Sequence, residues 1–281
     1  MPVYETPEPI FATVELEAGL LRISASDRTD TVVEVRPSDP SQAGDVRAAE
    51  QTSIRYRSGR LTVRTPESRT RSFFGRSPSV EVTIELPTDS RVKGKAAAAD
   101  IHTEGRIGEA GFSVAAGNIR LDRTGALKLD ATSGDVSVTH SVGHTDVTTS
   151  AGEIRIDRID GTAVVRNTSG GISLGAVSGD LRLNTTLGDI TVERALTTVG
   201  AKTVSGDVRI REVVHGAVRL ETASGELEVG IRKGTSAWLD LKSPAGRIHN
   251  SLNSADGPSA GDDTVEVRAR TLSGDIVIRR S

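Results

Sequence analysis

The chain has 281 residues, a net charge of −3 and only 2% aromatic residues. That length supports a substantial core, which must then be aliphatic, and the near-balanced charge excludes a global signal for binding polyanions. The lack of cysteine excludes disulfides, thiolate metal sites and cysteine nucleophiles.

Met1 to Phe11 reads M-P-V-Y-E-T-P-E-P-I-F, without the basic n-region and apolar h-region of a secretory signal. No apolar run approaches the roughly 18 residues needed to span a bilayer. The expectation is a soluble, cytoplasmic protein without a transmembrane segment. Residues 1–95 are predicted to form an irregular N-terminal β part with long loops, continuous with a regular solenoid over 96–281. Leu21 and Ile23 follow Gly19, and Leu61 and Val63 follow Gly59 forty residues on, at equivalent offsets. Two excursions interrupt this part, Ser38 to Glu50 and Thr65 to Ser79, both read as loops. Between Ser79 and Pro87, Val82, Ile84 and Leu86 alternate as one face of a strand.

From Ala99 onward the pattern becomes regular. Gly134, Gly152, Gly170, Gly188 and Gly206 are each 18 residues apart, and Gly117, Gly225, Gly246 and Gly274 extend the series less evenly. A second series, Gly108, Gly125, Gly143, Gly161, Gly179 and, after a gap at Thr197, Gly216, falls about midway. Two and four residues after these glycines the side chains are apolar almost without exception, as in Ile154 and Ile156, Ile190 and Val192, or Leu181 and Leu183. Positions one and three are mostly polar. This alternation reads as a strand with one buried face, and the β-branched content suits it. No stretch has helical periodicity. A fixed period of this kind signals a repeat architecture, and a five-residue strand buries too little alone, so coils must stack. The predicted fold is all-β: a single-chain β-solenoid (β-helix) with ~18-residue coils, each made of two nine-residue half-repeats. Asn253 to Asp263 reads as a polar loop before the closing strand that follows Gly274. Pro2, Pro7 and Pro9 are expected to blunt one end, and Arg279 and Arg280 to charge the other.

Four sets of residues are candidates for chemistry. Asp135, Glu153, Asp189, Asp207, Glu226 and Asp275 each follow a corner glycine. Stacked carboxylates at strand spacing would suit a glycosidase pair or bridging calcium. The ladder is broken by Asn118, Gly171 and Arg247, and Asp also suits turns, so it is read as structural. The second set is the basic run Arg55, Arg57, Arg60, Arg64, Arg69, Arg71 and Arg76 with Phe73 and Phe74. Arginines beside clustered exposed aromatics suit an acidic partner protein, an anionic lipid surface or nucleic acid. Within it, Arg64, Arg69, Arg71, Phe73, Phe74 and Arg76 are taken as the partner-binding residues. His102, His140, His144, His215 and His249 lack zinc-ligand spacing. Trp238 turns outward by alternation and would suit a sugar ring, but the segment after it is expected to cover it. No catalytic, cofactor-binding or metal-binding residues are assigned.

The motifs T-S-G-D-V-S-V (Thr132 to Val138), V-S-G-D-V-R-I (Val204 to Ile210) and L-S-G-D-I-V-I (Leu272 to Ile278) resemble a bacterial β-strand-repeat family of unknown function labelled "putative adhesin". The early P-I-F-A-T-V-E-L-E-A-G-L-L-R-I-S-A and V-E-V-T-I-E-L-P-T-D-S are similar to its N-terminal pattern. The resemblance covers nearly the whole chain and implies a β-solenoid with no established catalytic residues. The reading is a non-enzymatic scaffold without cofactors that binds a protein partner, as a monomer or small oligomer, with an anionic surface as a second target of the Arg-rich loop and no specific nucleic acid. The alternatives are a polysaccharide-binding or polysaccharide-cleaving β-helix and a self-polymerising, bactofilin-like scaffold.

Overall fold

The computed structural model describes residues 1–66, 77–252 and 263–281. The chain forms two compact units, Met1–Thr139 and His140–Ser281. Both are β-solenoids of stacked parallel strands.

In the first unit the central coil is one long strand, Phe11–Ser26, turned at Gly19, whose φ is +132°. Arg91–Ile107 runs parallel to it, with Phe11 opposite Arg91 and Gly19 opposite Ala99. Ala110–Ala116, Ile119–Thr124 and Leu127–Ser133 continue the stack. One interior column runs Leu61, Ala12, Val92, Ala110, Leu127, and another runs Val82, Leu21, Ile101, Ile119. All nine side chains are buried. Full burial of each Leu, Ile or Val contributes about 1.5–3 kcal/mol, the main force holding the coils together.

On its other side Phe11–Ser26 pairs with Arg60–Arg64 and Val80–Pro87, still parallel. Beyond these the direction reverses. Ser53–Arg57 pairs antiparallel with Arg60–Arg64 and Asp30–Pro37 with Val80–Pro87, and Val3–Glu5 closes antiparallel onto Asp30–Pro37. Antiparallel closure ends the parallel stack and limits edge-to-edge growth. Gly59 differs from the expected coil corner: with Ser58 (φ 49°) and its own φ of +73° it makes the tight turn between Ser53–Arg57 and Arg60–Arg64. Two consecutive positive-φ residues are what a hairpin of that kind requires. Leu61 and Val63 therefore align with Ala12 and Val14, not with Leu21 and Ile23.

The excursion from Ser38 to Glu50 also differs from expectation. It contains a helix, Ala43–Gln51, which packs against Asp30–Pro37 and Val80–Pro87. Its Ala, Arg, Glu and Gln content favours helix. The buried Asp45 anchors it by accepting backbone N–H bonds from Asp39 (3.2 Å) and Ser79 (2.9 Å).

In the second unit each coil contributes two strands, one to each of two faces. The A face holds, in spatial order, Ile154–Asp160, Ile172–Val177, Ile190–Ala195, Val208–Val213, Leu227–Ile231, Ile276–Arg280 and Ile248–Asn250. Its interior column is Ile154, Ile172, Ile190, Val208, Leu227 and Ile276, each at most 1% exposed. The B face holds Thr145–Ala151, Ala163–Ser169, Leu181–Asn184, Val199–Lys202, Gly216–Ser224, Thr264–Ser273 and Ser236–Lys242.

Spatial and sequence order part company at the end of this unit. The last coil in sequence, Thr264–Ser273 with Ile276–Arg280, inserts between the coil of Gly216–Ser224 and Leu227–Ile231 and the coil of Ser236–Lys242 and Ile248–Asn250. Arg279 and Arg280 therefore do not charge the end of the stack. The terminal rung is Ser236–Lys242 with Ile248–Asn250.

The corner glycines explain the period. At Gly206, φ is +149° and a Cβ would lie 2.1 Å from the Gly188 carbonyl oxygen one coil earlier. Stacked coils bring successive corners so close that only glycine fits.

Candidate functional site

Three members of the acidic ladder, Asp189, Asp207 and Asp275, bond to the backbone of the scaffold. Asp189 Oδ1 accepts the backbone N–H of Asp207 at 2.8 Å, and Asp207 Oδ1 accepts that of Glu226 at 2.8 Å. Asp275 Oδ1 does the same for Arg247. In the first unit Asn118 Oδ1 serves Asp135, and Asp100 Oδ1 serves Asn118. The residue after each of these corners thus caps the N–H of the next coil, and Asn replaces Asp without loss of the bond. Asp207→Ala is expected to cost about 0.5–1.5 kcal/mol, the worth of one such bond, measured as a fall in the urea midpoint.

A second ladder escaped sequence reading. Three residues before the corner glycine stand small inward polar groups. Asn167 Nδ2 donates to Gly152 O (2.9 Å), Thr271 Oγ1 to Gly225 O (3.1 Å) and Ser243 Oγ to Gly274 O (2.7 Å). The signal was the Thr in T-x-S-G, which satisfies a corner carbonyl inside the coil.

Outer-face charges pair across rungs. Glu228 is the most enclosed, lying between Arg209 (2.7 Å) and Arg279 (2.5 Å). Burial pushes its carboxyl upward, but Arg279 and Arg209 outweigh that and hold it below the usual carboxylate range. A depressed folded value gives stability that is present above the unfolded pKa of about 4.3 and is lost as pH falls through the folded value. Urea midpoints measured from neutral to acid should therefore drop, and Glu228→Gln should flatten that drop. Equal slopes in variant and wild type would contradict this role.

Of the predicted partner-binding residues, Arg64 is described: its guanidinium grips Glu15 in a two-point ion pair, with Nε–Oε2 2.7 Å and Nη2–Oε1 2.8 Å. Nearby, Arg60 lies 5.0 Å from the centre of the Phe11 ring. Arg69, Arg71, Phe73, Phe74 and Arg76 lie outside the described residues.

The histidines are spread over the surface in separate contacts. His140 Nε2 meets Asp160 (2.8 Å), His144 Nδ1 meets Thr162 (2.9 Å) and His102 Nε2 meets Glu104 (3.1 Å). Among the described residues, no three His or carboxylate groups gather in a way that would hold a metal ion.

Trp238 turns outward as its alternation predicts, but it is 57% exposed, so the expected cover is not there. Arg268 stands over its ring at 5.8 Å. Trp238 belongs to the terminal rung of the described residues, whose strand Ser236–Lys242 pairs among them on one side only, with Thr264–Ser273. Ala237, Leu239 and Leu241 face the interior column of Val265, Val267 and Ala269, yet they stay partly exposed. Ile248, in the column below Ile276, is 46% exposed.

A groove of about 610 Å³ crosses the B face of the second unit, lined by residues of Ala163–Ser169, Leu181–Asn184, Val199–Lys202 and Gly216–Ser224. Sequence reading did not find it. Its residues are far apart in the chain and meet only through the coil register.

Solved structures similar to this chain include a "putative adhesin" from Bacteroides fragilis NCTC 9343, 14% identical, covering 99% of this chain and 95% of that one, with a TM-score of 0.38. A "putative adhesin" from Parabacteroides merdae ATCC 43184 is 12% identical over 81% and 95%, with a TM-score of 0.46. A "putative lipid binding protein" from Parabacteroides distasonis ATCC 8503 is 11% identical over 98% and 96%, with a TM-score of 0.44. No curated protein matches the chain. The family model described as Toastrack DUF4097 matches residues 20–279, and the chain belongs to that family, one of unknown function.

Proposed function

We propose that this Toastrack-family chain is a non-catalytic interaction scaffold: a stiff β-solenoid that presents fixed arrays of side chains to a protein partner. The observation that carries this reading is the terminal rung of the second unit. Among the described residues, its strand Ser236–Lys242 leaves one row of backbone groups without a neighbouring strand. Beside it, Leu239, Leu241 and Ile248 leave an aliphatic column uncovered. A partner that lays a strand along that edge gains main-chain hydrogen bonds for affinity and apolar contacts for specificity. The Arg-rich segment, with Arg64, Arg69, Arg71, Phe73, Phe74 and Arg76, is the second contact in this proposal.

The engagement of the acidic ladder with backbone N–H groups supports a scaffold role over a hydrolytic one. Asp189 and Asp207 already spend an oxygen on the next coil. The test is affinity purification from the native cell, followed by mass spectrometry, with three baits: wild type, Leu241→Lys with Ile248→Lys, and Arg71→Ala with Phe73→Ala and Phe74→Ala. A stoichiometric partner held by wild type and lost from the rung variant is the expected result. Equal recovery by all three baits would remove the proposal. Light scattering of the purified protein separates the self-polymerising alternative, which requires growth beyond a small oligomer.

A further inference from the structure

The geometry points to a binding groove for an acidic glycan on the outer B face of the second unit, a ligand independent of the protein partner proposed above. Arg182, Gly200 and Arg219 are direct partners on three consecutive strands, so the two guanidinium groups flank a position with no side chain. They start about 10 Å apart, two strand spacings. Lys202 stands beside the gap and is tied to Glu221 at 3.4 Å. Arg182 and Arg219 are exposed, and among the described residues neither meets a carboxylate.

Gly200 is the informative residue. The corner glycines are forced by the fold, since a Cβ there would strike a carbonyl. Gly200 is not: its nearest neighbour would be the Leu181 carbonyl oxygen at an ordinary 3.9 Å, and its φ lies outside the left-handed region. Glycine inside a strand costs about 0.5–1 kcal/mol relative to alanine, and an unforced one marks a place where something approaches the backbone closely. The first unit repeats the device. Lys93, Gly111 and Lys128 are partners on consecutive strands, and a Cβ on Gly111 would meet only the Lys93 side chain, at 3.7 Å. Lys202 and Lys242 stand outward on B-face strands of the second unit, and Lys93, Lys95 and Lys128 stand outward on the first unit's strands Arg91–Ile107 and Leu127–Ser133.

The chemistry of this groove favours carboxylated sugars. Arginine forks bind carboxylates at two points, and a shallow trough floored by backbone admits a flat pyranose ring. Two strands beyond Arg219, the exposed Trp238 adds an aromatic face of the kind sugar rings stack on. Single-stranded nucleic acid would call for several stacking aromatics along a basic track, and the B face of this unit offers one.

Calorimetry and the fluorescence of Trp238, the sole tryptophan, provide two readouts. The purified chain is titrated with polygalacturonate and alginate oligomers, with neutral amylose oligomers, and with oligothymidylate of matched charge. Saturable binding of a uronate oligomer is expected, with none of amylose and weaker binding of oligothymidylate. Gly200→Val fills the gap with a strand-favouring side chain and should weaken uronate binding at least tenfold while the urea midpoint holds or rises. Arg182→Ala with Arg219→Ala should do the same at an unchanged midpoint. Failure of both uronates to bind, undiminished binding by Gly200→Val, or tighter binding of oligothymidylate would overturn the assignment.

Discussion

Gly188→Ala is expected to destabilise the protein by about 2–6 kcal/mol, combining the cost of a left-handed backbone with that of forced overpacking. Gly188 has φ +138°, and a Cβ would sit 2.2 Å from the Gly170 carbonyl oxygen and 2.6 Å from its carbon. Both atoms are backbone of the preceding coil, so neither can rotate away. Relief would require the coils to separate, which breaks the ladder bonds on either side. Gly200→Ala is the internal control. It should be neutral or stabilising by about 0.5–1 kcal/mol, because there the added methyl meets only the Leu181 carbonyl oxygen, at an ordinary contact distance of 3.9 Å. Urea midpoints for the two variants separate a glycine demanded by stacking from one that stacking tolerates. Near-wild-type stability of Gly188→Ala would mean the corners are not stacked as described.

The second large effect is expected in the aliphatic column. Ile190 is fully buried, with Ile172 on one side and Val208 on the other. Truncation to alanine should cost about 2–5 kcal/mol, because the rungs above and below are fixed by their own hydrogen bonds and cannot collapse into the gap. Leu239→Ala removes as many carbon atoms from the open terminal rung, where the side chain is already partly exposed. Its cost should be about 1 kcal/mol or less. If both truncations cost the same, the terminal rung is not open.

Much of this fold was legible because its cause is local and periodic. A residue that must be glycine every 18 positions, followed by two inward aliphatics, dictates coil length, strand direction and core composition together. The helix Ala43–Gln51 was not legible: nine residues carry too little periodicity, and what fixes them is Asp45 reaching backbone groups as distant in sequence as Ser79. Nor was the inserted last coil. The spacings from Gly225 to Gly246 to Gly274 give distances along the chain, whereas the contact order is Gly225, Gly274, Gly246. Of the functional features, the acidic ladder was read as structural, and Asp189, Asp207 and Asp275 each hold a backbone N–H of the neighbouring coil. The groove was missed because Arg182, Gly200 and Arg219 look unremarkable singly. The available clue was a glycine at an outward strand position, three residues after the gap at Thr197.

Coils stacked in parallel register make residues 18 or 19 apart in sequence into neighbours. The absence of cysteine makes this directly measurable with introduced pairs. Thr191 and Arg209 are partners on adjacent parallel strands, as are Arg209 and Glu228, at a spacing of about 4.8 Å that disulfide geometry accepts. Thr191→Cys with Arg209→Cys should cross-link rapidly under mild oxidation in the folded state, whereas Thr191→Cys with Glu228→Cys, two rungs apart, should not. Failure of the first pair to close, or equal closure of both, would contradict the stacked-coil structure.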